Sequence, residues 1–147
     1  MKNSLLASIA AVMFAYAGVE ANAEDDVSLF NGAGKAEAYI ALDDELTVYL
    51  WSGKPVAYLE REDDGYHVYG FNGKHLGWFV KGVIWDHSGK ASCATKEMLQ
   101  STEYEPYKSY KQYKPYRSYK QYAPYRPYLT NSFGDAPCRF LLAEGAR

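Results

Sequence analysis

The sequence predicts an all-β domain of four consecutive β-hairpin repeats, followed by a Tyr/Pro-rich, extended tail. Two patterns carry this prediction. A Gly-Lys pair flanked by apolar and aromatic residues recurs four times between residues 34 and 90, and a tyrosine occupies every third position from Tyr104 to Tyr128. The first pattern is typical of tight turns between antiparallel strands. The second has the period of a polyproline II helix.

The first 23 residues read as a cleavable secretory signal. Lys2 precedes an apolar run over residues 5–19, and residues 21–23 have the small-x-small form that signal peptidase requires. A membrane anchor is the alternative, but a span takes about 20 apolar residues, and this run is shorter. We therefore expect an exported protein, periplasmic or secreted, that begins at Glu24 and has no transmembrane segment after cleavage.

The remaining chain divides by composition into a four-hairpin β domain (24–98), a Tyr/Lys/Pro repeat segment (99–129) and a C-terminal segment (130–147). The net charge of −2 conceals an uneven distribution. Residues 24–98 hold 13 acidic and 7 basic side chains, whereas residues 99–147 hold 4 acidic and 8 basic ones. The basic part therefore either folds back on the acidic domain or meets a separate anionic partner.

Each repeat reads as strand, tight turn, strand. The four Gly-Lys pairs begin at Gly34, Gly53, Gly73 and Gly89. An aromatic residue lies four positions before each glycine, and another lies five positions after it in three of the four repeats. We expect these aromatic residues to form a core that the hairpins share, because a single hairpin is only marginally stable in water. They are Phe30, Tyr49, Tyr69 and Trp85 before the turns, and Tyr39, Tyr58 and Trp78 after them.

The motifs of this region resemble those of the four-fold beta flower family of bacterial proteins. The sequence from Leu29 to Thr95 contains F-N-G-x-G-K, W-S-G-K-P-V-A-Y, F-N-G-K-H-L-G-W and H-S-G-K elements, and an S-F-x-x-x-P element follows at residues 132–137. The resemblance implies four β-hairpins around a pseudo-four-fold axis and leaves the activity open. The fourth hairpin departs most, since small residues occupy positions 91–94.

Two cysteines, Cys93 and Cys138, remain after the signal. In an oxidising compartment an even pair favours a disulfide. The alternative is two buried thiols, because Cys93 stands where the other repeats carry a small residue. Spacing leaves both interpretations open.

The tail has three faces if it forms a polyproline II helix. One face is tyrosine, one is mostly basic, and one consists of Pro, Ser and Gln. The tyrosines are Tyr104, Tyr107, Tyr110, Tyr113, Tyr116, Tyr119, Tyr122, Tyr125 and Tyr128, and the basic residues are Lys108, Lys111, Lys114, Arg117, Lys120 and Arg126. A longer repeat of nine residues is also visible, as E-P-Y-K-S-Y-K-Q-Y and then K-P-Y-R-S-Y-K-Q-Y.

This tyrosine and basic stripe supports two hypotheses. In the first, the rings pack on the β domain and the basic residues pair with its acidic loops. In the second, the stripe binds a partner, because tyrosine stacks on sugar rings and interleaved cations neutralise acidic groups. The partner is then an anionic cell-envelope polymer or another envelope protein. Nucleic acid is disfavoured because no base-readout motif is present.

No motif predicts catalysis, a cofactor or a metal site. His67, His75 and His87 lack zinc-ligand spacing, and no nucleophile or phosphate-binding motif occurs. An enzyme would need a carboxylate pair such as Glu37 with Asp86. We therefore predict a non-enzymatic binding or structural module, with an exported glycan-acting hydrolase as the alternative.

Overall fold

A computed structural model describes residues 26–147 and shows eight antiparallel strands in a closed barrel. The strands are rich in β-branched and aromatic residues, which favour a pleated, half-buried surface. In chain order they are β1 (Asp26–Phe30), β2 (Ala36–Ala41), β3 (Thr47–Leu50), β4 (Pro55–Arg61), β5 (Tyr66–Gly70), β6 (His75–Val80), β7 (Val83–Trp85) and β8 (Ala91–Ala94). The all-β, four-hairpin prediction is confirmed.

Each strand pairs with the next, and β8 returns to β1 through Phe30 and Ala94. Closure leaves no open sheet edge. The pairing register shifts once in every hairpin, at the position just before the tight turn. The four shifts fall at Leu29/Phe30, Val48/Tyr49, Val68/Tyr69 and Ile84/Trp85. The repeats of the sequence are therefore repeats of backbone geometry as well.

Aliphatic and small side chains fill the centre of the barrel, where the sequence predicted aromatic rings. Because side chains alternate between the two faces of a strand, one face of each strand contributes to this core and the other faces outward. The buried core members from the strands are Leu29, Ala38, Ile40, Val48, Val56, Ala57, Leu59, Val68, Leu76, Ile84 and Cys93. The expectation of a shared aromatic core was wrong in its location for Tyr39, Tyr49, Tyr58, Tyr69, Trp78 and Trp85.

The aromatic rings are buried on the outer face, in separate clusters between neighbouring hairpins. Tyr39 stacks on Tyr49 with ring centroids 5.5 Å apart. Tyr58 and Tyr69 form the equivalent pair at 6.2 Å, and the third cluster is built around Trp78. Each pair joins the second strand of one hairpin to the first strand of the next, so the rings hold the hairpins together from outside.

The C-terminal segment closes one end of the barrel. Helix α1 (Cys138–Ala143) places Cys138 and Leu142 in the central core, both with no exposed surface. A disulfide joins Cys138 to Cys93 on β8 across 45 residues. Of the two cysteine hypotheses, the disulfide is therefore the one the structure shows.

The small residues of the fourth hairpin make room for this returning segment. Ala91 forms an isolated parallel bridge with Phe133, and the Ser92 hydroxyl donates to the Ala136 carbonyl. Larger side chains on β8 would occupy the space that the returning chain takes. The departure from four-fold repetition therefore has a packing reason.

The predicted secretory signal, residues 1–23, lies outside the described residues. None of the helices within residues 26–147 has the length and apolar character that crossing a membrane requires.

Reducing the disulfide should destabilise the protein and loosen α1. Closing a loop of 45 residues lowers the entropy of the unfolded chain by an amount worth about 4 kcal/mol on the chain-entropy model. Urea unfolding of the wild type and of a Cys93→Ala/Cys138→Ala variant measures the loss in the free energy of unfolding. A loss under about 1 kcal/mol would show that the bond adds little to the buried contacts of α1.

Candidate functional site

The tail encircles the barrel in register with its hairpins. We call residues 103–130 the belt. At intervals of nine residues, a belt amide donates to the carbonyl of the glycine in successive hairpin turns, at 2.8–2.9 Å. The donor and acceptor pairs are Glu103 with Gly34, Gln112 with Gly53, Gln121 with Gly73 and Thr130 with Gly89. The nine-residue repeat of the tail thus matches the four-fold repeat of the barrel.

The hairpin glycines are required by two features. Gly53 and Gly73 have φ angles of +93° and +90°, which residues with a Cβ rarely adopt. A Cβ at Gly53 would also lie 2.0 Å from the Tyr110 carbonyl oxygen, and one at Gly73 would lie 2.0 Å from that of Tyr119. The belt backbone therefore passes directly over the turns, at a distance that only glycine permits.

Further contacts satisfy the belt backbone, which has no secondary-structure partner of its own. A polyproline II chain forms no internal hydrogen bonds. The Ser118 amide donates to the Phe71 carbonyl at 2.8 Å, and the Tyr69 hydroxyl donates to the Gln121 carbonyl at 2.9 Å. Groups of the barrel thus form the hydrogen bonds that the belt backbone would otherwise form with water.

The basic face of the belt is turned toward acidic side chains of the barrel, which lie in its loops and near the ends of β1 and β4. Most of its cations form ion pairs there, as the first tail hypothesis expected. The pairs are Lys108 with Asp26 (3.0 Å), Lys114 with Asp44 (2.8 Å) and Glu45 (3.0 Å), Lys120 with Glu60, and Arg126 with Asp64 (2.8 Å). The uneven charge of the sequence is therefore largely matched within the molecule.

These ion pairs lower the pKa of two loop carboxyls. At Asp44, burial would raise the pKa, but hydrogen bonds from Lys114 and Tyr49 outweigh burial and lower it. At Asp64, the hydrogen bond from Arg126 is the largest effect and lowers the pKa against an opposing contribution from burial. Both carboxyls therefore stay charged, and hold the belt, in moderately acidic solution.

The same basic side chains cover the outer aromatic clusters. The Arg117 guanidinium lies 3.7 Å from the ring centroid of Tyr58. The Lys108 ammonium lies 4.5 Å from that of Tyr39, and Lys111 lies 5.4 Å from that of Tyr49. Cations at such distances are attracted to the faces of the rings.

The nine belt tyrosines point away from the protein. Their exposed fractions run from 86% at Tyr128 to 101% at Tyr107 and Tyr119. The part of the first hypothesis that placed these rings against the β domain is therefore wrong. The three-residue period explains the outcome, since turning the basic face inward turns the tyrosine face outward.

The three histidines, which look scattered in the sequence, form a chain of contacts. His67 Nδ1 lies 3.0 Å from His75 Nε2, and His75 Nδ1 lies 2.9 Å from His87 Nε2. The chain continues at 3.6 Å from His67 Nε2 to the Glu62 carboxylate. His75, at its centre, is only 3% exposed.

Burial, which is the largest effect, and the neighbouring His87 and His67 together lower the pKa of His75 to about 4. Neutral imidazole can donate from one ring nitrogen and accept at the other. At neutral pH His75 is therefore uncharged, and it can donate an N–H···N bond to one neighbouring histidine and accept one from the other.

Glu37 and Asp86, the two carboxylates considered as a catalytic pair, each make other contacts in the structure. The Glu37 carboxylate is occupied by Asn31 and by Arg139. The Asp86 carboxylate accepts from Ser88 and from the Lys90 amide within its own turn. No group of three or more His, Cys, Asp or Glu side chains in this part of the chain could hold a metal ion.

Comparison with protein families matches residues 27–142 to the family described as 4-fold beta flower protein. No curated protein and no solved structure matches the chain significantly.

Gly53→Ala and Gly73→Ala should release the belt locally. Each added Cβ collides with a belt carbonyl, so amide exchange should rise at Gln112 or Gln121. The matched control is Gly82→Ala. Gly82 has a similar φ of +83°, but its Cβ would meet Thr95 and Met98 instead of the belt. If the belt amides exchange at equal rates in all three variants, the close approach of the belt backbone to the turns at Gly53 and Gly73 is contradicted.

The free energy of unfolding should fall as the pH drops from 6.5 to about 4. The pKa of His75 is lowered from 6.5 to about 4 in the folded protein, so the unfolded chain binds more protons in this window. The stabilisation is complete above pH 6.5 and decreases by about 3 kcal/mol as the pH falls through the window. Urea unfolding at a series of pH values measures the slope, which His75→Asn should flatten. An unchanged slope would refute the assignment to His75.

Proposed function

The chain belongs to the 4-fold beta flower protein family, and we propose that it is an exported, non-enzymatic binding or structural module that presents the belt tyrosines to an envelope polymer. One observation carries the proposal. Nine tyrosine rings are 86–101% exposed while the backbone that bears them is hydrogen-bonded to all four hairpin turns. Large exposed aromatic patches typically mark interaction sites.

The fixed backbone of the belt and the direction of its side chains support a binding role over a purely structural one. A tail that served only to cover the barrel would turn its largest apolar side chains inward. Here the basic side chains cover the barrel, and the rings are left for contacts with another molecule. Because the backbone is already held in place, binding would cost less conformational entropy than it does for a free tail.

A polymer fits this surface better than a small ligand does. The row of rings follows the whole belt and encircles the barrel, so it offers many equivalent contacts in place of one enclosed pocket. The disulfide between Cys93 and Cys138 is compatible with the export that the N-terminal sequence predicts. The basic tail composition led us to expect an anionic polymer or another envelope protein as the partner.

Tyr110, Tyr113, Tyr116 and Tyr119 should be necessary for binding and dispensable for folding. Replacing all four with serine removes four stacking faces, each worth ~1–3 kcal/mol where nucleobases stack on aromatic side chains, so co-sedimentation with a bound polymer should fall at least tenfold. Surface substitutions leave stability within about 0.5 kcal/mol. The four corresponding Tyr→Phe changes keep the stacking faces and serve as the control.

The probes are isolated peptidoglycan, an uncharged β-linked glucan and an acidic polysaccharide, each incubated with residues 24–147. Binding to at least one of them is expected. If the wild type binds none, or if the serine variant binds as well as the wild type, the proposed function is refuted.

A further inference from the structure

We propose that the middle of the belt, residues 113–119, is a binding site for an uncharged polymer of pyranose sugars in an extended conformation. This inference rests on the proposed function and names its ligand class. It departs from the anionic partner that the composition of the tail predicts, and the reasons lie in how the belt is oriented.

The first reason is charge. The basic side chains of this sector are committed to the barrel: Lys114 to Asp44 and Glu45, Lys120 to Glu60, and Arg117 to the face of Tyr58. The outward face carries the uncharged rings of Tyr113, Tyr116 and Tyr119. A polyanion would have to compete with carboxylates already in place, whereas an uncharged ligand leaves those pairs intact.

The second reason is the spacing of the rings. Successive belt tyrosines are three residues apart, which in a polyproline II chain is about 9 Å. This is close to the length of one disaccharide in an extended β-linked polysaccharide. Pyranose rings present flat faces of C–H groups that stack on aromatic rings, so alternate sugars could stack on successive tyrosines.

The third reason is the surface beside the rings. A cleft of about 370 Å³ lies between this part of the belt and the barrel, lined by Gln112, Tyr113, Tyr116 and Ser118 on the belt side and by residues that include Lys54, Phe71 and Arg147 on the other. A second cleft of about 320 Å³ is lined by Ser118 and Tyr119 together with Glu60, Arg117 and Lys120, whose charges are engaged in the Lys120–Glu60 pair and in the contact of Arg117 with Tyr58. Amide and hydroxyl groups next to aromatic rings can exchange hydrogen bonds with sugar hydroxyls while the rings stack. Lys54 is an exposed cation at the first cleft.

The curvature of the belt limits how much of it one polymer can use. The belt meets the four hairpins of a closed barrel in order, so the row of rings bends around the protein. A stiff, extended chain therefore contacts only a few successive rings. A hexasaccharide should consequently bind nearly as tightly, per site, as a longer chain.

Titration calorimetry of residues 24–147 with hexasaccharides of β-1,4-linked glucose and of β-1,4-linked N-acetylglucosamine tests the proposal, with heparin as the polyanion. We expect one of the hexasaccharides to bind with an affinity that changes less than about twofold when the salt concentration rises tenfold, because no phosphate or carboxylate contacts are involved. Tyr113→Ser/Tyr116→Ser should weaken this binding at least tenfold. Lys35→Gln, the corresponding change at the first hairpin turn and outside both clefts, should leave it unchanged.

The alternative outcomes separate the ligand class from the proposed function. Binding of heparin alone, reduced by salt and by Lys54→Gln, would overturn the uncharged-sugar assignment while the proposed function stands. Hexasaccharide binding that survives the double serine substitution would overturn the site. If neither the hexasaccharides nor the polymers used in co-sedimentation bind, the proposed function itself fails.

Discussion

The structure depends on the hydrogen bonds between the belt amides and the carbonyls of the hairpin glycines. A polyproline II segment has no hydrogen bonds of its own, and these external bonds fix its position at every hairpin. They require a glycine at the turn, both for its positive φ and for the space above it. The nine-residue spacing of the tail and the four-fold repeat of the barrel are therefore linked by the same set of hydrogen bonds.

The orientation of every belt side chain follows from that constraint. Once the backbone is held at the turns, the period of three assigns each residue type to a fixed direction. The basic residues meet the acidic loops and the outer rings of Tyr39, Tyr49 and Tyr58. The tyrosines of the belt are left exposed in a row. The surface proposed for binding is thus a consequence of how the barrel is covered.

Much of this architecture could be predicted from the sequence, because it depends on local repeats. The Gly-Lys turns determined the hairpins, and the tyrosine period indicated an extended tail. The direction of the tyrosine face could not be predicted, since it depends on which face finds partners. A usable signal did exist: a nine-residue repeat in the tail, beside a domain with four similar turns, indicates that successive parts of the tail meet successive hairpins.

Two other features depended on strand register, which the sequence alone does not specify. Tyr39 and Tyr49 could lie inside or outside the barrel, and a shift of one residue exchanges the two faces. The contact between His67 and His75 likewise arises because β5 and β6 pair Tyr69 with His75, which makes the two histidines diagonal neighbours on one face. Residue spacing along the chain gives no sign of this contact.

The most direct test of the account is residue-resolved amide exchange of the belt, measured by NMR on residues 24–147. If the belt is held as described, protection should recur at nine-residue intervals, at Glu103, Gln112, Gln121 and Thr130, whose amides donate to the hairpin glycines. The amides of the exposed tyrosines between them should exchange faster. Uniformly fast exchange from residue 103 to residue 130 would contradict the account, because the belt would then be free of the barrel.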